Sequence, residues 1–280
     1  MKLIASIKPK MHVKTGILAF GLILISVAAA CSTNVATSTK ARDDSFTVAE
    51  SRKIVVNGSN GRINVGAGTD DTVRVQATLR RPDNLKYEVT QDGNPINVEV
   101  EEQGGRFSFL GQSPGADIEI TAPSNTRVEL RTGDGTIELY GMHQSGTVRS
   151  SNGKIIMDDV TGDFDVHASN GSVDIAGATV TFDIESSNER IVFAGVIVPS
   201  VGNRMTTTNG SVEITLHRIP GEELDASTTN GSIKTRLPIL TTFSGDKHHI
   251  VGTIGAGDAE LFVKTANGPV TVQRDTLMKS

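Results

Sequence analysis

The heptapeptide SNGKIIM, residues 151–157, decides how this chain is read, because close copies of it recur. They are SNGRINV (59–65), GDGTIEL (133–139), SNGSVDI (169–175), SNERIVF (187–193), TNGSVEI (208–214), TNGSIKT (229–235) and ANGPVTV (266–272). Seven of the eight copies carry glycine at the third position, as Gly61, Gly135, Gly153, Gly171, Gly210, Gly231 and Gly268, and Glu189 stands there once. From Gly135 to Gly231 the steps are 18, 18, 18, 21 and 21 residues, and the last gap, to Gly268, is 37. A fixed period of this length is the mark of a repeat architecture. The final gap fits two coils with a degenerate turn near Gly252.

Outward from the glycine the chain alternates. Two residues on stand Ile63, Ile137, Ile155, Val173, Ile191, Val212, Ile233 and Val270, and the position two further on is apolar in all copies but Thr235. The residues between are mostly polar, which is the period of a half-buried strand. Five residues before the glycine the chain again places apolar residues such as Leu130, Val148, Val166 and Ile184, so a second strand precedes each turn. Asn-Gly between alternating runs also signals a tight hairpin, so an antiparallel meander or sandwich stands as the alternative. The residue three before the glycine separates the two. It is Thr132, Ser150, Ser186, Thr207, Thr228 or Thr265 in six copies and small in the others, a strange choice for the buried face of a hairpin. In a solenoid those hydroxyls stack on their own copies and satisfy one another. Asn60, Asp134, Asn152, Asn170, Asn188, Asn209, Asn230 and Asn267 then form a parallel ladder along one corner. The glycine supplies a positive φ or a close backbone approach. The expected fold is all-β, a parallel β-helix with coils of 18–21 residues.

These phrases, ending in GAGDAELFVKTANGPVTV (255–272), resemble the bacterial putative-adhesin domain, a domain of unknown function found on secreted and lipid-anchored envelope proteins. The resemblance covers about residues 50–273. It implies a right-handed parallel β-helix, an extracytoplasmic location and no catalytic residues. The domain is expected over 45–273, with 66–123 a less regular N-terminal part that caps or extends the stack. Residues 237–257 are the least regular part of the C-terminal half, and 274–280 form a tail.

The start of the chain reads as an address. Residues 1–14 carry Lys2, Lys8, Lys10 and Lys14 and no acid, and Gly16–Ala30 is an apolar run too short to span a bilayer. Ala28, Ala29 and Ala30 then lead into Cys31, the single Cys of the chain. This resembles the lipobox of bacterial lipoproteins, with Ala28 where an aliphatic residue is usual. It implies lipidation at Cys31 after removal of residues 1–30. Ser32 implies the outer membrane if the bacterium is Gram-negative. An ordinary signal peptide with an incidental Cys is the alternative. Residues 31–44 are expected to be a polar tether.

Composition narrows the function. The 280 residues hold Lys+Arg 27 against Asp+Glu 32. Losing the four leader lysines leaves 23 against 32, a balance of −9. That is not the basic surface nucleic acid demands. One Cys excludes a disulfide framework. Gly111-Gln112-Ser113-Pro114-Gly115 matches the nucleophile-elbow pattern, but Pro114 lacks the N–H an oxyanion hole needs there. His248 and His249 are adjacent and would point to opposite faces of a strand. Asp158, Asp159, Asp163 and Asp165 cluster near one corner without the spacing of a calcium loop. No cofactor or metal is implied. The run IVFAGVIVPSV (191–201) departs from alternation; Val192, Val196, Ile197 and Val198 are a candidate partner patch, or else a coil buried on both faces. The expected function is non-enzymatic: a lipid-anchored adhesion or binding module facing outside the cytoplasm, contacting a surface polysaccharide or a protein. An accessory structural or envelope-stress role and a carbohydrate-active enzyme are the alternatives.

Overall fold

The computed structural model describes residues 38–48, 52–103, 113–200, 202–218, 221–237, 239–244, 247–254, 257 and 259–275. The leader and Cys31 lie outside the described residues, as do residues 276–280. In chain order the strands are β1 (Thr39–Thr47), β2 (Lys53–Asn60), β3 (Ile63–Gly68), β4 (Thr72–Arg80), β5 (Leu85–Gln91), β6 (Pro95–Glu102), β7 (Gly115–Pro123), β8 (Arg127–Asp134), β9 (Ile137–Tyr140), β10 (Gly146–Ser150) and β11 (Ile155–Asp158). They continue as β12 (Thr161–Ala168), β13 (Val173–Ser186), β14 (Ile191–Ile197), β15 (Asn203–Thr207), β16 (Val212–Leu216), β17 (Glu222–Thr228), β18 (Ile233–Thr235), β19 (Ile239–Ser244), β20 (His249–Ile254), β21 (Ala259–Thr265) and β22 (Val270–Arg274).

Pairing sorts these strands into two parallel stacks. The strands that precede each turn stack as β6–β2–β8–β10–β12, then the second half of β13, then β15–β21–β17. The strands that follow each turn stack as β7–β3–β9–β11, then the first half of β13, then β14–β16–β22–β18. The repeated coils run parallel, so the chain is a β-solenoid and the meander is set aside.

Register explains the core. Ile137, Ile155, Val173, Ile191, Val212 and Val270 are direct neighbours from rung to rung, and all are buried. Leu130, Val148, Val166, Ile184, Met205 and Val263 form the matching column on the facing stack. Each such side chain removed from water contributes roughly 1.5–3 kcal/mol. No rung could bury both of its columns alone.

Three expectations need correction. The 37-residue gap does not hold two rungs. Residues 239–254 form the antiparallel pair β19–β20, with β20 antiparallel to β17 and Gly252 opposite Leu224. The chain then returns to lay β21 between β15 and β17, and β22 between β16 and β18. The last two coils therefore stack in the reverse of their chain order, which gives β15 and β17 a partner on the side that would otherwise be open. Second, the tether does not extend to 44. Thr39–Asp44 belong to β1, antiparallel to β4. Arg74 grips Asp43 there, Nε to Oδ1 at 2.9 Å and Nη2 to Oδ2 at 2.5 Å. A polar sequence is compatible with this strand because it lies at a sheet edge, where charge suppresses unwanted pairing. Third, β22 runs to Arg274, and the Asp275 N–H donates to the Leu216 carbonyl, so the tail starts beyond 275.

The less regular segment 66–123 is a cap as well as a rung. β4 is antiparallel to β7, and β5 is antiparallel to β6. Phe46, Tyr87 and Val89 pack half-buried against the end of the core.

Candidate functional site

The turns build one continuous polar corner. Asn152 Nδ2 donates to Asp134 Oδ1 at 2.5 Å, Asn170 to Asn152 at 2.8 Å, Asn188 to Asn170 at 2.6 Å and Asn209 to Asn188 at 2.9 Å. Asn267 then donates to Asn209 at 2.7 Å and Asn230 to Asn267 at 2.8 Å, following the reversed order of the last coils. Every amide donates in the same direction, toward Asp134. That polarity explains the one acid. Asp134 only accepts, and an ionised carboxylate can do nothing else. Asn60 holds its place in the backbone register beside Asp134, but its amide turns away to Glu102 and to the Pro114 carbonyl.

The glycines are required by proximity more than by conformation. A Cβ on Gly153 would stand 1.7 Å from the Gly135 carbonyl oxygen, and one on Gly171 would stand 1.9 Å from that of Gly153. The same contact recurs at Gly135, Gly210, Gly231 and Gly268, while Gly61 alone of the set has a positive φ, +124°. Glu189 keeps its carbonyl in this column, 2.0 Å from where a Gly210 Cβ would stand. The buried hydroxyls do not satisfy one another as expected. They donate to this carbonyl column: Ser150 to Gly135 at 3.2 Å, Thr207 to Glu189 at 3.1 Å, Thr265 to Gly210 at 2.8 Å and Thr228 to Gly268 at 2.9 Å. The glycine carbonyl of one coil is thus capped by the hydroxyl of the next.

Along 191–198 the alternation survives. Ile191, Phe193, Gly195 and Ile197 point inward and are buried, with Phe193 5.3 Å from Phe182 between ring centroids. Ile197 is therefore lost from the proposed patch. Val192 and Val196 are half-buried on the outer face, and Val198 is 38% exposed. Val192 lies between Asp174 and Glu213 in register, so this apolar strip is flanked by charge. Asp174 is held by Lys154 at 2.5 Å and Arg190 at 3.5 Å.

The four aspartates do not converge. Asp159 ends a turn at φ +53°, 4.0 Å from His143, and Asp165 is tied to Arg149 at 2.6 Å. Among the described residues no group of three or more His, Cys, Asp or Glu is placed to hold a metal ion. His249 pairs with Asp225 at 2.9 Å. Gly111 and Gln112 lie outside the described residues, and Ser113-Pro114 lead directly into β7.

Sequence reasoning missed two outer-face features. Asp163, Asp165, Thr181 and Asp183 line a shallow groove of about 320 Å³ with Arg127 and Gly202. Burial, and then Glu185 and Asp165, push the Asp183 carboxyl up. Arg204 lies over the Phe262 ring, 4.7 Å from its centroid. Both sit at outward positions of the alternation. Only the register across coils, which the spacing does not supply, brings their members together.

Against known proteins, the profile of the Toastrack DUF4097 family matches residues 51–196. No curated protein matches the chain. Among solved structures it is similar to a putative cell adhesion protein from Clostridium sporogenes, at 12% identity over 84% of this chain and 100% of that one, TM-score 0.40. It is also similar to a putative adhesin from Bacteroides fragilis, at 14% identity over 85% and 99%, TM-score 0.33. A third is described as a putative lipid binding protein from Parabacteroides distasonis, at 12% identity over 85% and 97%, TM-score 0.24.

Proposed function

The chain belongs to the Toastrack DUF4097 family, and from that premise we propose that it is a lipid-anchored, extracytoplasmic adhesion or binding module of the bacterial envelope that acts without covalent chemistry. The observation that carries this reading is the in-register stacking of the solenoid coils, interrupted by a bulge in β13 between Ala176 and Ala178. One ladder and two facing columns lock the coils into a rigid body whose outward positions recur at the strand spacing, with differing residues, from rung to rung. A surface that repeats can make several weak contacts to a repeating partner at once, and linked contacts gain affinity through effective concentration. A surface polysaccharide or a protein is the partner, with the apolar strip of Val192, Val196 and Val198 as the outer-face contact.

Cys31 supplies the anchor. It lies eight residues before Thr39, so at full extension the membrane is within about 29 Å of β1. The N-terminal cap is then the membrane-proximal end, and the far coils project outward.

Two measurements test this. Metabolic labelling with a fatty-acid analogue should mark the full chain in cells and leave Cys31→Ser unlabelled and released from membranes. Label retained in Cys31→Ser ends the anchor reading. Arrayed envelope polysaccharides and matrix proteins should capture the purified chain, and Val192→Asp with Val198→Asp should weaken the capture. Capture unchanged by that pair, or turnover of a bound polysaccharide, overturns the non-enzymatic contact reading.

A further inference from the structure

The ladder has a direction, and therefore two unlike ends. At the first end sits Asp134, which only accepts. At the other sits Asn230, which donates to Asn267 at 2.8 Å while, among the described residues, no side chain donates to its Oδ1. Every asparagine between them makes both contacts. An interior amide must break two side-chain hydrogen bonds to leave the ladder, and Asn230 must break one.

The next residue in the chain gives this difference a chemical consequence. Asn152, Asn170, Asn209, Asn230 and Asn267 are all succeeded by glycine. In an Asn-Gly pair the glycine nitrogen can attack the asparagine Cγ, since no side chain on glycine impedes it. The N–Cγ bond forms, the Cγ–Nδ2 bond breaks and ammonia leaves, giving a succinimide. Water then opens either carbonyl of the ring to an aspartyl or an isoaspartyl linkage. The glycine nitrogen must be free to attack. Gly153 N–H is occupied by Ser150 Oγ at 2.9 Å and Gly61 N–H by the Asp134 carbonyl at 3.1 Å. Gly231 N–H has no partner among the described residues, and neither have Gly171, Gly210 and Gly268, so against those pairs it is the single ladder bond and the place in the stack that set Asn230 apart. Its coil is also the last of its stack: β18 has only three residues and pairs in parallel with β22 alone. Outer elements of this kind open most readily.

We propose that Asn230-Gly231 is a built-in deamidation site, the point at which the ladder converts spontaneously to a carboxylate while its interior asparagines are protected. The product cannot donate to Asn267 Oδ1, and an ionised oxygen then faces a carbonyl oxygen. The isoaspartyl form also adds a methylene to the backbone and breaks register. Either product loosens β18 from β22.

The test is peptide mapping by mass spectrometry of the full chain held in mildly alkaline buffer, folded and in urea. In the folded chain, conversion at 230 should outpace that at 152, 170 and 209 by about fivefold or more, the factor that one net hydrogen bond is worth. In urea the five rates should converge, because the sequence pairs are alike. Equal rates in the folded chain, a faster interior site, or a difference that persists in urea overturns the proposal. Hydrogen exchange supplies the second readout. Asn230→Asp should speed exchange in 229–235 and leave 151–175 unchanged, and unaltered exchange in 229–235 removes the structural consequence.

Discussion

The middle of the solenoid and its two ends are built by different rules. From β8 to β16 every strand lies between copies of itself, parallel and, apart from a bulge in β13 between Ala176 and Ala178, in register, so a residue there meets its own equivalent above and below. At the ends the chain abandons the repeat. β4 and β1 close one stack at the N-terminal end, β5 closes the other, and β20 with β19 closes the C-terminal end, all by antiparallel pairing. In the middle one residue type is imposed at each position by the neighbour of the same type. At the ends a residue answers only to its local partner. Tolerance to substitution should divide along that line.

The sharpest contrast lies between two glycines. A Cβ at Gly153 would meet the Gly135 carbonyl oxygen at 1.7 Å, and its nearest atoms are all Gly135 backbone, which cannot yield as the end of a flexible side chain can. Gly93, in the β5–β6 turn of the cap, has φ +67° and nothing within 4 Å of its Cβ position. Gly153→Ala should cost more than about 4 kcal/mol or abolish folding, the range of severe backbone conflict. Gly93→Ala should cost about 1–2 kcal/mol, the penalty of a left-handed conformation for an L-residue. Denaturant melts of the two variants measure the gap, and equal losses would remove the close-approach account of the repeat glycine. Side chains should follow suit at smaller scale. Phe193→Ala, in the packed interior, should cost about 3–5 kcal/mol. Phe46→Ala, half-buried on the cap, should cost about 1–2 kcal/mol.

The ladder gives a finer version. Asn170 both donates and accepts, so Asn170→Asp removes a donor from between two neighbours and should cost about 1–3 kcal/mol. Asp134 only accepts, so Asp134→Asn should stay within about 0.5 kcal/mol of the parent. If the two changes cost the same in thermal melts, the ladder has no direction.

How much of this could be read from residues alone follows the same division. The repeat phrase fixed the interior, because alternation around Gly153 and its copies names the inward residues whichever coil they belong to. The ladder could be read to its membership, but not to its order. Asn230 and Asn267 exchange places because β21 and β22 slot in between earlier coils, and chain order carries no trace of that. β1 was illegible for another reason. TKARDDSFT has too little apolar content to announce a strand, and its partner β4 begins 25 residues after β1 ends. Asp183 joins Asp165 only through the register of β12 against β13. Ile197 was misread because a run of apolar residues hides which of them face inward.

Charge acts most gently, and with opposite sign at different carboxyls: burial raises Asp44 in the cap, and the Lys53 hydrogen bond lowers Glu129 in the middle. In the cap, the Arg74 hydrogen bond holds Asp43 below the usual carboxylate range. Burial works against Asp117, but the Arg62 backbone N–H and the Arg80 side chain outweigh it and hold that group low too. A carboxyl lowered in the folded state contributes stability above its unfolded pKa, and that contribution is lost as pH falls through the folded value. In the middle, Asp183 is raised by burial and by its acidic neighbours. A raised carboxyl means that the folded state takes up its proton first, so stability falls as pH rises through the window between the unfolded and folded values. Acidification toward about pH 4, near the unperturbed carboxylate range, should therefore weaken the Asp43–Arg74 contact between β1 and β4, offset in part by the raised Asp44 beside it, while relieving β13. Hydrogen-exchange protection, taken relative to the intrinsic rate at each pH, should fall on acidification around Asp43 and Arg74, and across 179–186 it should not. Asp183→Asn should raise Tm slightly at neutral pH, with the gain vanishing at acid pH where the parent is already protonated. A gain that persists at low pH would mean that the side chain acts through packing and not through its charge, and the electrostatic contrast would then rest on Asp44 as the raised group against Asp43, Asp117 and Glu129 as the lowered ones.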